Sequence, residues 1–461
     1  VHDYQRIADR IAADILGGRL RPGHRLPPQR SFARRHGIAA STAGRVYAEL
    51  VRRGLVVGEV GRGTFVRAAP VPSGRALAEP ATTAPVNLEL NYPTAPGQAG
   101  LLTPALAPLL RPDVLAEATR TAPATGTPAA REAAAGLLAT AGWRPAADQV
   151  LFSGNARQAI AGALATLVRP GGRVGIDALT YPLVKEMAAR LGVTLVPLAG
   201  DADGIRPDSV AAAHRAAPLS ALYLQPTLHN PTSATMPETR RRRLAAELRQ
   251  WGLPVVEDRI WSFLADGTEP FAAFAPELTY VVDGLSKRVA PGLTVGFLVV
   301  PPGRAEQAGG ALRSGGWTAG RFALEAALRW MADGTVAALV TAKRADAARR
   351  QRLVTEHLRD FAVRTDPRSY YAWWHLPAPW RADTFTAAAA ALGIAVTPGP
   401  SFAVPSAGPA PDRSPGAAAS GAADCVRLGL ASAPSEALGQ ALRTLASLAH
   451  GTPHGTDGLP S

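Results

Sequence analysis

Residues 69–86 (AAPVPSGRALAEPATTAP) are rich in Pro, Ala and Thr and carry no apolar period. A stretch of that kind has no hydrophobic face to bury, so it reads as a linker. It parts a short segment, 1–68, from a long one that begins at 87. No single core has to span the break. The 461 residues exceed what one core serves, and two or three folding units are expected.

The short segment is strongly basic. Residues 1–68 hold 13 Arg and no Lys against Asp3, Asp9, Asp14, Glu49 and Glu59, which leaves +8 of the chain's +13. Such a concentration attracts a polyanion, DNA being the commonest. An Arg-biased genome writing surface charge gives the same count, so composition alone leaves both readings open. Lysine is confined to Lys185, Lys287 and Lys343. A lysine kept where Arg is otherwise used marks work for a primary amine, Schiff-base chemistry among it. The one cysteine, Cys425, excludes an internal disulfide and a Cys-cluster metal site, and it reads as a small buried residue. The nine His show no metal-ligand spacing. No apolar run of about 18 residues and no signal-peptide pattern occur, so no membrane partner and a cytoplasmic location are expected.

Within 1–68, Ile7, Ile11 and Ile15 fall at helical spacing over 4–16, and Gly17–Gly18 ends that helix. Residues 28–36 read as a second helix. Residues 41–53 read as a third, with Ser41 as its N-cap and Gly54 as its stop. The alternating stretch LVVGEVGRGTFV reads as a β-hairpin with a Gly-Arg-Gly tip. Three short helices and a basic hairpin make a winged helix-turn-helix (α+β). From 87, the runs VGIDA, TLVPL, ALYLQP, PVVEDR, YVVDG and VGFLVV read as buried strands of an α/β sheet, alternating with Ala/Arg-rich helical stretches. Residues 322–360 read as largely helical. A C-terminal α+β subdomain is expected at about 340–450, with a mobile loop at 405–424 and a flexible tail at 451–461.

Residues 4–66 resemble the GntR-family winged helix-turn-helix. The matching pieces are GRLRPGHRLP (18–27), RSFA (30–33), IAAST (38–42), LVRRGLV (50–56) and GRGTFV (61–66). A helix N-terminus favours phosphate, and the third helix can present Ser41, Thr42 and Arg45 to a major groove of double-stranded operator DNA. The resemblance places Arg30 and Arg62 for phosphate or groove contacts, Arg62 at the wing tip facing a minor groove. Ala40 stands where the family often has Arg.

Residues 87–450 resemble the fold-type-I, class I aminotransferases, and the fusion is that of the MocR subfamily of regulators. LSKRVAPGLTVG (285–296) is similar to the lysine motif, which implies that Lys287, next to Ser286, forms the internal aldimine with pyridoxal 5′-phosphate (PLP). VVEDRIW (255–261) implies that Asp258 partners the pyridinium nitrogen, with Trp261 where many relatives have Tyr. QPTLHNPTS (225–233) resembles the N-P-T-G motif and implies that Asn230 bonds the cofactor O3′; Ser233 replaces its Gly. FSGNARQ (152–158) follows a strand and opens a helix, so Ser153, Gly154 and Asn155 make a candidate phosphate cradle. LTYP (179–182) fits Tyr181 as the ring that stacks on the pyridine. CVRLGL (425–430) implies that Arg427 holds a substrate or effector carboxylate.

Two positions depart from the pattern. Relatives carry Ser or Thr three residues before the lysine and Arg seven after it, both on the cofactor phosphate; here they are Gly284 and Thr294. Losing one such charge-assisted bond removes about 1.5–3 kcal/mol. Arg288 is the substitute offered by the sequence. The leading expectation is a homodimeric DNA-binding regulator that senses PLP or a PLP–amino compound adduct formed with a small-molecule amino effector. An active aminotransferase carrying a DNA-binding segment and a PLP-free repressor using the fold for dimerisation remain open.

Overall fold

A computed structural model describes residues 3–16, 19–20, 23–52, 55–59, 63–66, 84–405 and 422–452. The wing-tip residue Arg62, most of the expected linker, the 406–421 part of the expected loop and the tail from 453 lie outside the described residues.

The basic segment forms α1 (Asp3–Leu16), α2 (Gln29–Arg35) and α3 (Ala40–Arg52). Ala43, Val46, Tyr47 and Leu50 give α3 a buried face at i, i+3, i+4 and i+7, packed with Ala8, Ile11 and Phe32. Strands β2 (Val56–Glu59) and β3 (Gly63–Val66) pair antiparallel as the expected hairpin. A third strand, β1 (Arg25–Leu26), joins the free edge of β3; two residues are too few for any periodic signal. Because α3 begins at Ala40, Ser41 is not its N-cap but lies inside its first turn.

The large segment is built on a seven-stranded sheet. Across it run 150–153, 296–299, 279–284, 255–258, 221–224, 173–177 and 194–198. All neighbouring strands are parallel except Gly296–Val299, which runs antiparallel to both of its neighbours. The parallel strands are continuous apolar runs because both faces are covered. Their carboxyl ends open on one side, where ligands of such sheets bind.

A four-stranded antiparallel sheet follows, in the order 362–364, 371–375, 425–429 and 397–398. Helices Thr335–Leu358 and Ser435–His450 pack on it through Val354, Leu358, Leu438 and Leu442. Val86–Asn87 pairs with Ile394–Ala395, and Leu88 accepts a bond from Gly429 N at 2.7 Å. Residues 89–92 are thereby led from this second sheet towards the open end of the first. No helix among the described residues is long and apolar enough to cross a membrane.

Candidate functional site

At the carboxyl ends of the parallel strands lies a cavity whose walls come from seven separate parts of the chain. Lys287 and Ser286 follow strand 279–284 on the short helix Leu285–Arg288. Tyr181 and Asn230 face in from the loops after strands 173–177 and 221–224, and Trp261 from the loop after 255–258. Arg427 comes from the middle of strand 425–429 in the second sheet. The structure thus brings together Asn155, Tyr181, Asn230, Trp261, Ser286, Lys287 and Arg427, all selected from sequence.

The Lys287 ammonium donates to the carbonyl of Asn91 at 2.8 Å and lies 3.9 Å from the ring centre of Tyr92 and 5.2 Å from that of Trp261. Asp258, at the end of strand 255–258, is not among the residues that line the cavity, though its charge reaches the lining residue Tyr181. Its carboxylate accepts from the Tyr223 hydroxyl at 2.7 Å and from Ile260 N at 2.9 Å. Burial raises the Asp258 pKa to about 6, with the Tyr223 bond opposing. Burial also raises the Tyr181 hydroxyl, which feels Arg157, Tyr92, Asp258 and Arg427 as the surrounding charges.

Arg427 is buried, and its guanidinium donates to the Glu89 carbonyl and, at 3.1 Å, to the Thr397 hydroxyl. Burial brings its pKa down to about 10. Glu89, also buried, is raised to about 7 by desolvation, with Arg427 pulling the other way. Four atoms on the cavity-lining residues are buried without a hydrogen-bond partner: Asn91 Nδ2, Asn230 Oδ1, Thr294 Oγ1 and Arg427 Nε. Orphaned polar atoms are costly in a folded protein. Four around one cavity describe a site shaped for a polar ligand.

Three sequence expectations are corrected. Ser153 does not reach the cavity: its hydroxyl turns back to the Asn155 carbonyl at 2.9 Å. Gly154 is tied through its N–H to Trp317 O at 3.1 Å and is likewise absent from the walls. Of the three expected cradle residues only Asn155 lines the cavity, followed by Ala156 and Arg157, and Asn155 caps helix Ala156–Leu167 by accepting from Gln158 N. Arg288 points away and forms a buried ion pair with Asp283 at 2.5 Å, so it is no substitute for the missing phosphate contact. Ser233 adopts φ +57°, a region that favours glycine, and holds it by hydroxyl bonds to Ser369 Oγ and Tyr371 O.

Sequence reasoning missed Glu89, Asn91, Tyr92 and Arg157. The first three lie in a strand-poor stretch with no motif. Arg157 stood inside the FSGNARQ stretch, where its place in the first helical turn was the available signal.

On α3, Ser41 and Arg45 are exposed on the side away from Val46 and Leu50, and Thr42, one turn before Val46, is half-buried at the margin of the packed face. Arg45 lies 6.0 Å from the ring centre of Tyr4. Arg30 is exposed in the first turn of α2.

Residues 91–445 match the family described as aminotransferase class I and II, and residues 3–66 match the bacterial regulatory proteins of the gntR family. The chain is 29% identical over 402 residues to the uncharacterized HTH-type transcriptional regulator YdeF of Bacillus subtilis, covering 87% of each chain. It is 25% identical over 311 residues to the HTH-type pyridoxine biosynthesis transcriptional regulator PdxR of Corynebacterium glutamicum, covering 65% of this chain and 66% of that one. Among solved structures, the α-aminoadipate aminotransferase LysN of Thermus thermophilus aligns with a TM-score of 0.69 at 20% identity, over 82% of this chain and 96% of that one.

Proposed function

The chain belongs to the class I and II aminotransferase family and carries a GntR-family domain ahead of that fold, the MocR arrangement, and we propose that it is a DNA-binding transcription regulator whose larger domain senses PLP together with an amino-bearing small molecule. The observation that carries this reading is the set of orphaned polar atoms around Lys287. The donor set fits PLP. Hydrogen-bond donors gather at 155–157, 286 and 294, the aromatic ring of Tyr181 lines the cavity, and the buried Asp258 carboxylate acts on Tyr181. The regulator named for pyridoxine biosynthesis among the relatives agrees with it.

PLP, when bound, supplies an aldehyde that condenses with amines and a ring that takes up electron density. Lys287 offers the amine, steered by the Asn91 carbonyl and the Tyr92 face. Asp258, anionic above about pH 6, can hold a proton on a ring nitrogen facing it. Tyr181 and Trp261 line the cavity with aromatic surface that excludes water. Arg427 retains a free Nε–H for a ligand carboxylate. Since Arg427 belongs to the second sheet and Lys287 to the first, a ligand that touches both favours one arrangement of the two. That differential contact is what regulation of the DNA-binding segment needs.

A homodimer, reading two operator half-sites in the cytoplasm, completes the proposal. Arg30, Ser41, Thr42 and Arg45 are its DNA contacts among the described residues, with Arg62 proposed at the wing tip. The test is a PLP titration of the purified protein followed by visible absorbance, then a panel of amino compounds, with keto-acid acceptors to look for turnover. A visible band that amino compounds alter without sustained turnover supports a sensor. Sustained turnover makes the chain an aminotransferase, and no band leaves a PLP-free repressor.

A further inference from the structure

We propose that Arg157 supplies the phosphate-holding guanidinium that this chain lacks at position 294, the ligand group being a phosphate dianion. The inference rests on the PLP reading above and concerns only how the phosphate end is held.

Three backbone segments meet at one end of the cavity. A β-carbon placed on Gly284 stands 2.9 Å from the Val295 carbonyl, 3.4 Å from Gly296 Cα and 3.6 Å from Ala156 Cβ, and one placed on Gly296 runs into the Asn155 backbone. The turn at 155–157, the stretch 284–286 and the stretch 294–296 are therefore packed against one another. From this junction Ala156, Arg157, Ser286 and Thr294 line the cavity, and the Thr294 hydroxyl is buried without a partner. Helix Ala156–Leu167 begins here and holds no acidic residue in its first turn.

A cation in the first turn of a helix is electrostatically unfavourable, because the amides there already carry partial positive charge. Arg157 is the second residue of this helix and lies exposed at the cavity edge, and among the described residues its guanidinium makes no hydrogen bond or ion pair. An anion at the same helix start reverses the sign of both terms, since amides and guanidinium then converge on it. The other cations fail this role. Arg288 is committed to Asp283, Arg427 is anchored beside Glu89 and Thr397, and the Lys287 amine is held by Asn91. Arg157 is the cation left at the 284–296 junction. Its charge already reaches Tyr181, the proposed stacking ring. The arginine absent at position 294 is thus replaced from the adjoining turn at 155–157.

The test titrates wild type, Arg157→Gln, Arg157→Lys and Lys287→Ala with PLP and with pyridoxal, which lacks the phosphate. Binding is read from visible absorbance, with thermal unfolding as a control for folding. Arg157→Gln is expected to weaken PLP about 10–100-fold while leaving pyridoxal unchanged. Arg157→Lys is expected to recover part of the loss, and Lys287→Ala to lose the band with both. Arg157→Gln binding PLP as wild type does overturns the inference and leaves the cofactor reading intact. Equal weakening towards both compounds also overturns it, because the side chain then only supports the helix start. A wild type colourless with PLP overturns the cofactor reading itself, and this inference with it.

Discussion

The ammonium of Lys343 donates to the backbone carbonyl of Lys287 at 3.0 Å, and also to those of Arg288 at 3.0 Å and Val289 at 2.7 Å. One rare lysine thereby fastens the turn that presents another. Lys343 is fully buried on helix Thr335–Leu358, so removing its ammonium leaves three carbonyls short of a donor. Lys343→Met is expected to lower thermal stability by an amount corresponding to about 1–3 kcal/mol and to weaken PLP binding. Lys343→Arg is expected to be no rescue, because a fully packed site has no room for the larger guanidinium. Thermal melts and PLP titrations of both variants check this.

Asp258 gives a pH dependence with a definite sign. Its folded pKa, raised to about 6, lies above the unfolded value of about 3.9. Between those two values the native state holds more protons than the unfolded one. Its contribution to stability is therefore present at low pH, falls as pH rises from about 4 to 6, and is level above. PLP binding has the opposite sign, because a ring nitrogen is partnered by the anion. Affinity is expected to rise from pH 5 to 7. Asp258→Asn is expected to remove both trends, and the difference between the two profiles separates them from titration of the PLP phosphate.

Gly284 explains why one departure from the family pattern is not repaired by a single change. A β-carbon there meets the Val295 carbonyl at 2.9 Å, which is backbone and cannot swing aside. Gly284→Ser is expected to cost about 1–3 kcal/mol of stability and to weaken PLP binding, although it restores the residue type seen in relatives. A variant that binds PLP more tightly at unchanged melting temperature contradicts this.

On the DNA side, Ser41 and Arg45 occupy the exposed face of α3 while Val46 and Leu50 hold it to its core. Arg45→Ala is expected to weaken binding to an operator duplex by about 1–3 kcal/mol if it reads a base. If it contacts a phosphate instead, the salt dependence is expected to fall by about one unit of slope. Anisotropy titrations at several salt concentrations distinguish the two, and unchanged binding at every salt removes Arg45 from the interface.

Lys287, Asn230, Tyr181 and Arg427 were legible because each sits in a contiguous motif beside an apolar strand, and strand ends are where such a sheet places its site. Asn91 was not legible, since it reaches Lys287 across 196 residues of chain and no local pattern marks it. Lys343 was noticed only as a rare lysine; its partner lies 56 residues away. Arg288 was misread because sequence gives its neighbourhood but not its direction, and direction is decided by Asp283, five residues back. Ser153 was misplaced for a similar reason. Being next to a helix start does not say which residues of the turn face outward, and its hydroxyl bonds inward to Asn155. The strand Gly296–Val299 was expected, but its antiparallel direction follows only from the tight return after Lys287.

The most direct measurement is visible absorbance of the full chain on adding PLP, in wild type and Lys287→Ala, followed by an amino-acid titration in wild type and Arg427→Leu. A band in wild type, none in Lys287→Ala, and a change on adding amino acid that Arg427→Leu weakens are the expected results. A wild type that stays colourless, or a band that persists without the Lys287 amine, contradicts the assignment of this cavity as the sensing site.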